Sequence, residues 1–199
     1  MMTKLDNSFF ERADVVRVAR DLVGRVLVTE FDGIRTSGRI VETEAYNGVV
    51  DKASHAYQGR RTNRTEIMYQ PGGIAYVYLC YGIHHLFNVV TNTRDIPHAV
   101  LIRAIEPMEG IEVMLQRMHK AKPDNSVGRG PGNVSRALGI TTLHSGAPLS
   151  GNISIWEDDW LPGEIEAGPR IGVDYAAEDA FLPYRFYLRG NPHVSRSKR

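Results

Sequence analysis

The stretch Arg39-Ile40-Val41-Glu42-Thr43-Glu44-Ala45-Tyr46 decides how this chain folds. Apolar and β-branched residues alternate there with polar ones, and alternate side chains of a strand share a face. Val41, Thr43 and Ala45 would then point to one side, and Glu42, Glu44 and Tyr46 to the other. Working outward, Gly38 to Tyr46 is predicted as a strand paired with Arg25 to Glu30 through a turn at Asp32-Gly33. A helix is predicted near Ala13 to Val23, stopped by Gly24. Downstream, Ile74 to Cys80, Leu86 to Thr91 and Ala99 to Ile105 read as three successive strands. Pro107 to Met118 reads as an amphipathic helix, with Met108, Ile111, Leu115 and Met118 at helical spacing and the proline in its first turn. A short helix opens at Gly130-Pro131 and ends near Gly139. Ile153 to Trp156, Arg170 to Val173 and Arg185 to Arg189 read as short strands. Strands that cluster with few helices between them predict an α+β fold. The expected architecture is one domain over residues 1–199, with a curved, mainly antiparallel sheet and a few packed helices. Asn47 to Gly73 lacks periodicity, and so long a connection inside a compact domain is usually functional.

Composition narrows the function. The chain has 199 residues, enough for a sizeable core, with hydrophobic and charged fractions of 42% and 24% near the globular average. No apolar run approaches the ~18 residues of a membrane span, so no membrane partner is expected. The first twenty residues carry both signs of charge and do not read as a signal or transit peptide. The single cysteine, Cys80, excludes an internal disulfide and a cysteine-based zinc site. An intracellular protein is expected, cytoplasmic and nucleoid-associated in a bacterium or nuclear in a eukaryote. The seven histidines show no metal-ligand spacing and there is no phosphate-cradling glycine loop, so neither metal nor cofactor is implied. The net charge is only +1, but it is unevenly spread. Glu157 to Asp179 holds eight acids and one base, whereas Arg60, Arg61 and Arg64 cluster and residues 185–199 hold five bases and no acid. Such asymmetry suits a basic face against phosphates, and equally a solvated tail.

Three segments carry chemistry. A carboxylate two residues from an aromatic, as in Glu44 and Tyr46, places both on one surface about 7 Å apart, suited to a stacked base with an acid beside its sugar. The same pattern also suits a plain strand edge. In Tyr76-Val77-Tyr78-Leu79-Cys80-Tyr81-Gly82, Tyr76 and Tyr78 share a face and Tyr81 sits at a turn. An exposed tyrosine there could fill the gap left by a flipped nucleotide, or the segment could be an aromatic core ladder. Arg103 lies in an apolar strand and must find a partner. Glu44 would serve, and a guanidinium neighbour favours the ionised carboxylate that a general base requires; a structural ion pair is the plainer reading. His55 in the long loop and Asn88 in an apolar run are weaker candidates, each also readable as structural.

Taken together, Gly24 to Val28, the Glu42 to Tyr46 segment, Tyr76 to Gly82 with Asn88, Leu101 to Pro107, Gly130 to Gly132 and Arg185 to Gly190 resemble the alkyladenine (3-methyladenine, or methylpurine) DNA glycosylase family. The resemblance runs in order from about residue 10 to 195. It implies a monofunctional enzyme that flips an alkylated or deaminated purine from duplex DNA and hydrolyses its glycosidic bond. It implies Glu44 as general base and Arg103 as a holder of the attacking water. Tyr46 would stack on one face of the base, with His55 and Tyr78 on the other, and Asn88 would exclude the exocyclic amino group of guanine. Tyr81 would be the wedge, with Leu101 supporting DNA contact; the charge asymmetry separately offers Arg60, Arg61 and Arg64 as contacts to the DNA backbone. The expected partner is double-stranded DNA containing damaged purines, engaged by a monomer. A glycosylase-lyase acting through Lys52, a catalytically dead duplex-binding module and a small-nucleoside hydrolase are the alternatives.

Overall fold

The computed structural model describes residues 1–195. In chain order its strands are β1 (Thr3–Lys4), β2 (Val26–Phe31), β3 (Ile34–Tyr46), β4 (Ile74–Cys80), β5 (His84–Thr91), β6 (His98–Glu109), β7 (Ile153–Glu157), β8 (Ile165–Gly168) and β9 (Arg185–Leu188). The helices are α1 (Asn7–Phe10), α2 (Val15–Leu22), α3 (Ile111–Met118) and α4 (Pro131–Leu138). The strands form one curled, antiparallel half-barrel sheet in the order β1-β7-β2-β3-β6-β5-β4, with β9 joining β3 and carrying β8. The α+β expectation holds, with its curved antiparallel sheet and few helices.

β3 is the axis of the sheet. Its first half pairs with β2 from Ile34 to Arg39, and its second half pairs with β9 from Glu42 to Glu44. β6 runs along its other edge, with the register shifting on either side of Glu42. An irregularity of this kind bends a strand and re-aims side chains. On one face, Val41 and Ala45 enter the main core with Val18, Ala19 and Leu22 of α2. Asp14 caps that helix by accepting the Arg17 N–H at 3.0 Å, and the Thr43 hydroxyl donates to the Ala19 carbonyl at 2.8 Å. The helix therefore covers one face of β3 and leaves Glu42 and Glu44 to the other.

Two sequence expectations fail. Pro107 does not open a helix: β6 continues through it to Glu109, and the helix begins only at Ile111. The break is Gly110, in the left-handed region (φ +73°), where a Cβ would lie 2.6 Å from the Arg35 carbonyl oxygen. Helical spacing spread across a strand end and a helix start looks like one helix when the chain is read in a line. Arg170 to Val173 forms no strand; Ile165–Gly168 pairs with β9 instead.

Candidate active site

Two carboxylates on β3, both fully buried, meet one guanidinium from β6. Glu42 accepts from Arg103 Nε at 3.1 Å, from Arg185 Nε at 2.6 Å and from the Ser195 N–H at 2.8 Å. Burial pushes its carboxyl up, but the two guanidinium groups outweigh this and hold it below the usual carboxylate range. Glu44 lies 3.3 Å from Arg103 Nη1, accepts the Tyr46 hydroxyl at 2.9 Å and accepts the Ile171 N–H at 2.7 Å. Burial and then the Glu44 carboxylate raise the Tyr46 phenol well above its ordinary value, so it stays protonated and remains the donor.

Beside Tyr46, whose hydroxyl holds Glu44, lies a slot lined by Tyr46, Ala53, His55, Met68, Tyr76, Tyr78, Asn88, Ala99 and Tyr175. Tyr46, His55, Tyr78 and Asn88, four of the residues expected at a base pocket, thus share one cavity. The rings of His55 and Tyr78 meet edge to face at 4.7 Å between centroids. The Asn88 amide donates to the Tyr76 and Leu86 carbonyls at 3.1 and 3.3 Å. This fixes the side chain and turns its oxygen away from those carbonyls.

His55 is not a solvated surface histidine. Its Nδ1 lies 2.9 Å from the Tyr76 hydroxyl and its Nε2 lies 3.1 Å from Arg64 Nη2. An arginine can only donate. Nε2 therefore accepts, which leaves Nδ1–H to face Tyr76. Burial first, then Arg64 and Arg60, lower its pKa to about 4, so the ring is neutral at pH 7.

Tyr81 stands at the tip of the β4–β5 hairpin, 91% exposed. Its backbone is left-handed (φ +50°), as is that of Gly82 (φ +71°), and the Ile83 N–H closes the turn on the Cys80 carbonyl at 3.1 Å. For a tyrosine this conformation costs about 1–3 kcal/mol, a sign of selection for something other than stability. Leu101 departs from expectation. It is 3% exposed, in register with Glu44 on one side and Asn88 on the other, so it packs beneath the site and offers no surface to DNA. The three loop arginines also differ. Arg61 is held by Glu66 at 2.7 Å and Asp95 at 3.0 Å, so most of its charge is spent within the protein. Arg60 and Arg64 are exposed and make no ion pair among the described residues. Of the five C-terminal bases, Arg196, Lys198 and Arg199 lie outside the described residues.

A buried acid with an arginine on the neighbouring strand, hydrogen-bonded to the wall of an aromatic slot, is the arrangement to compare with known proteins. Residues 8–192 match the family model described as methylpurine-DNA glycosylase. The chain belongs to the methylpurine-DNA glycosylase family. A relative from Chlamydia abortus, named "Putative 3-methyladenine DNA glycosylase", is 51% identical over 185 residues, 92% of this chain and 97% of its own. One of the same name from Bacillus thuringiensis is 46% identical over 200 residues, 95% of this chain and 97% of its own. This methylpurine-DNA glycosylase is accordingly a hydrolase acting on N-glycosyl bonds, with DNA as its substrate. Among the described residues no helix is long and apolar enough to cross a membrane.

Several site residues of this glycosylase escape sequence reasoning. Tyr76 was legible as a companion of Tyr78 on one strand face, but its hydroxyl contact with His55 was not. Tyr175 lines the slot and donates to the Ala53 carbonyl at 3.0 Å, from a segment with no periodic signal. The fully buried Arg170 grips Asp51 at 2.5 and 2.8 Å and donates to the Ala45 carbonyl at 2.9 Å. It thereby fixes the irregular chain that delivers the Ile171 N–H to Glu44. Residues 45, 51 and 170 are brought together only by folding.

Proposed function

We propose that this glycosylase flips a damaged purine of the 3-methyladenine, 7-methylguanine, hypoxanthine and ethenoadenine class from duplex DNA and removes it with water, leaving an intact abasic strand. The observation that carries this reading is the hydrogen bond from the slot wall, Tyr46, to a buried carboxylate, Glu44, that Arg103 also contacts. A base between Tyr46 and the His55–Tyr78 pair would hold its sugar beside that carboxylate. Extrusion costs a few kcal/mol, least for damaged pairs, and stacking returns about 1–3 kcal/mol. Tyr81 would fill the vacated space in the duplex.

In the chemical step the water oxygen bonds to C1′ of the sugar as the bond from C1′ to the purine nitrogen breaks. The bonding pair leaves with the base, and the water proton passes to Glu44. Arg103 orients the carboxylate and the water. A cationic N-alkylated purine leaves as a neutral base, whereas a neutral purine must gain a proton as it departs. His55, neutral at pH 7 and pushed to about 4, is a poor source of that proton. Guanine would be excluded sterically at Asn88, whose side chain is held in place by its two hydrogen bonds and cannot move aside for the exocyclic amino group.

Water is favoured over an amine nucleophile by the state of Lys52. Its ammonium lies 2.5 Å from the Glu178 carboxylate, and this hydrogen bond raises its pKa, so the amine stays protonated. The deciding experiment incubates the protein, in a metal chelator, with duplexes carrying each lesion, followed by alkali. Strand breaks only after alkali are expected. Breaks without alkali, or a borohydride-trapped adduct, would establish a lyase. No release from any lesion would leave only a duplex-binding module.

A further inference from the structure

The Tyr76 hydroxyl ends a chain of hydrogen bonds whose direction is fixed at its outer end. Arg64 can only donate, and its Nη2 lies 3.1 Å from His55 Nε2, closer than the 3.4 Å to Nδ1. A neutral imidazole that accepts at one nitrogen carries its proton on the other. Nδ1–H therefore donates to the Tyr76 oxygen at 2.9 Å. That leaves the proton of Tyr76 itself, which nothing accepts among the described residues. Tyr76 is 2% exposed and lines the slot, so a buried donor without an acceptor borders the space that a flipped base would fill.

Arg64 is the charge behind this chain. It has no carboxylate partner among the described residues, and its guanidinium lies 4.9 Å from the Tyr78 ring centroid. On the opposite wall Arg170 lies as close to the Tyr46 ring, but its bidentate pair with Asp51 neutralises it. A charge at the head of a hydrogen-bond chain polarises the donors along it. Burial raises the Tyr76 phenol above its ordinary value and Arg64 opposes the rise, so the hydroxyl keeps its proton at pH 7.

We propose that Tyr76 is the hydrogen-bond donor and proton source for a neutral purine leaving the slot, polarised by Arg64 through His55. This rests on the base-flipping reading above and supplies the acid that His55 cannot be. As the bond from C1′ to the purine nitrogen breaks, its electron pair goes to the base. The Tyr76 O–H bond breaks and its proton bonds to an acceptor atom of the base. The phenolate left behind keeps the hydrogen bond from His55 Nδ1–H until solvent water returns a proton. A cationic N-alkylated purine leaves as a neutral base and draws no proton from Tyr76.

The test measures single-turnover excision of hypoxanthine, with 7-methylguanine as the internal reference, by saturating wild-type protein, Tyr76→Phe, Arg64→Gln and the double variant. Tyr76→Phe should lower hypoxanthine excision by about 10²-fold and 7-methylguanine excision far less. Relative to 7-methylguanine, which carries any shared loss of backbone contact, Arg64→Gln should give a smaller loss on hypoxanthine. That loss should disappear in the Tyr76→Phe background, because both changes cut one chain. Equal losses on the two bases in Tyr76→Phe, or an unchanged hypoxanthine rate, would make the hydroxyl structural and overturn the proposal. Losses that multiply in the double variant would detach Arg64 from Tyr76 and overturn it as well. Failure of the wild-type protein to release either base would instead defeat the base-flipping reading on which the proposal rests.

Discussion

Glu42 and Glu44 stand two residues apart on β3, both without solvent exposure and both against Arg103, yet their other partners differ. Glu42 faces two guanidinium groups and a backbone N–H, all from within the fold. It is a knot joining β3, β6 and β9. Glu44 has one guanidinium, one backbone N–H and the hydroxyl of a residue that lines the slot. The lesson is that burial and an arginine neighbour do not by themselves mark a functional acid. What distinguishes Glu44 is that one of its partners also forms the wall of a cavity.

Exchanging each acid for its amide is the sharpest way to break this comparison. Glu44→Gln should lower single-turnover excision by about 10²–10⁴-fold while keeping affinity for lesion-containing duplex. Loss of both together would make it another structural acid. Glu42→Gln should act on stability instead. Removing one partner of a buried ionic network costs about 3–5 kcal/mol, read as a lower urea midpoint. Folded Glu42→Gln molecules should keep most of their excision rate, and a loss matching that of Glu44→Gln would erase the distinction.

The exposed tip extends the contrast to Tyr81, whose proposed role comes at a cost to the fold. Tyr81→Gly should relieve the left-handed backbone and raise stability by about 1 kcal/mol. It should also weaken lesion-specific binding by about tenfold, with little change in salt-sensitive binding to undamaged duplex. Equal loss of both kinds of binding would reduce Tyr81 to a general contact.

His55 gives the smallest effect. Its folded pKa, about 4, lies below the ordinary 6.5, so the unfolded chain takes up a proton first as pH falls. Its contribution to stability is therefore complete above about pH 6.5 and is lost as pH drops toward 4. Between pH 7 and 5 the loss is at most about 2 kcal/mol. It should be absent in His55→Gln, and an identical pH dependence in that variant would assign the titration to another group.

Much of the site could be read in one dimension because it lies on strands. The period of two puts Glu44 beside Tyr46, and Tyr76 beside Tyr78, whatever the rest of the chain does. An arginine inside an apolar strand needs an acid, which directed attention to Arg103 and Glu44 but gave no hint that Glu42 would share it. Pro107 reads as a helix start because the spacing of Met108, Ile111, Leu115 and Met118 carries no sign of the turn at Gly110. The resemblance points Leu101 toward DNA, whereas its strand runs in the middle of the sheet, and order in the sheet is not written in any single strand.

Sequence alone thus determined the strand faces, the acid and aromatic pairings along them, and the exposed turn that bears Tyr81, because these depend on neighbours two to four residues apart. Tertiary structure decided which of the two acids is hydrogen-bonded to the slot wall, and that an irregular segment near residue 170 would reach back to hold it. It also set arginines against both aromatic walls. Those outcomes depend on the pairing of β3 with β6 and β9 and on chain brought from more than a hundred positions away, where packing geometry rather than local pattern sets the contacts.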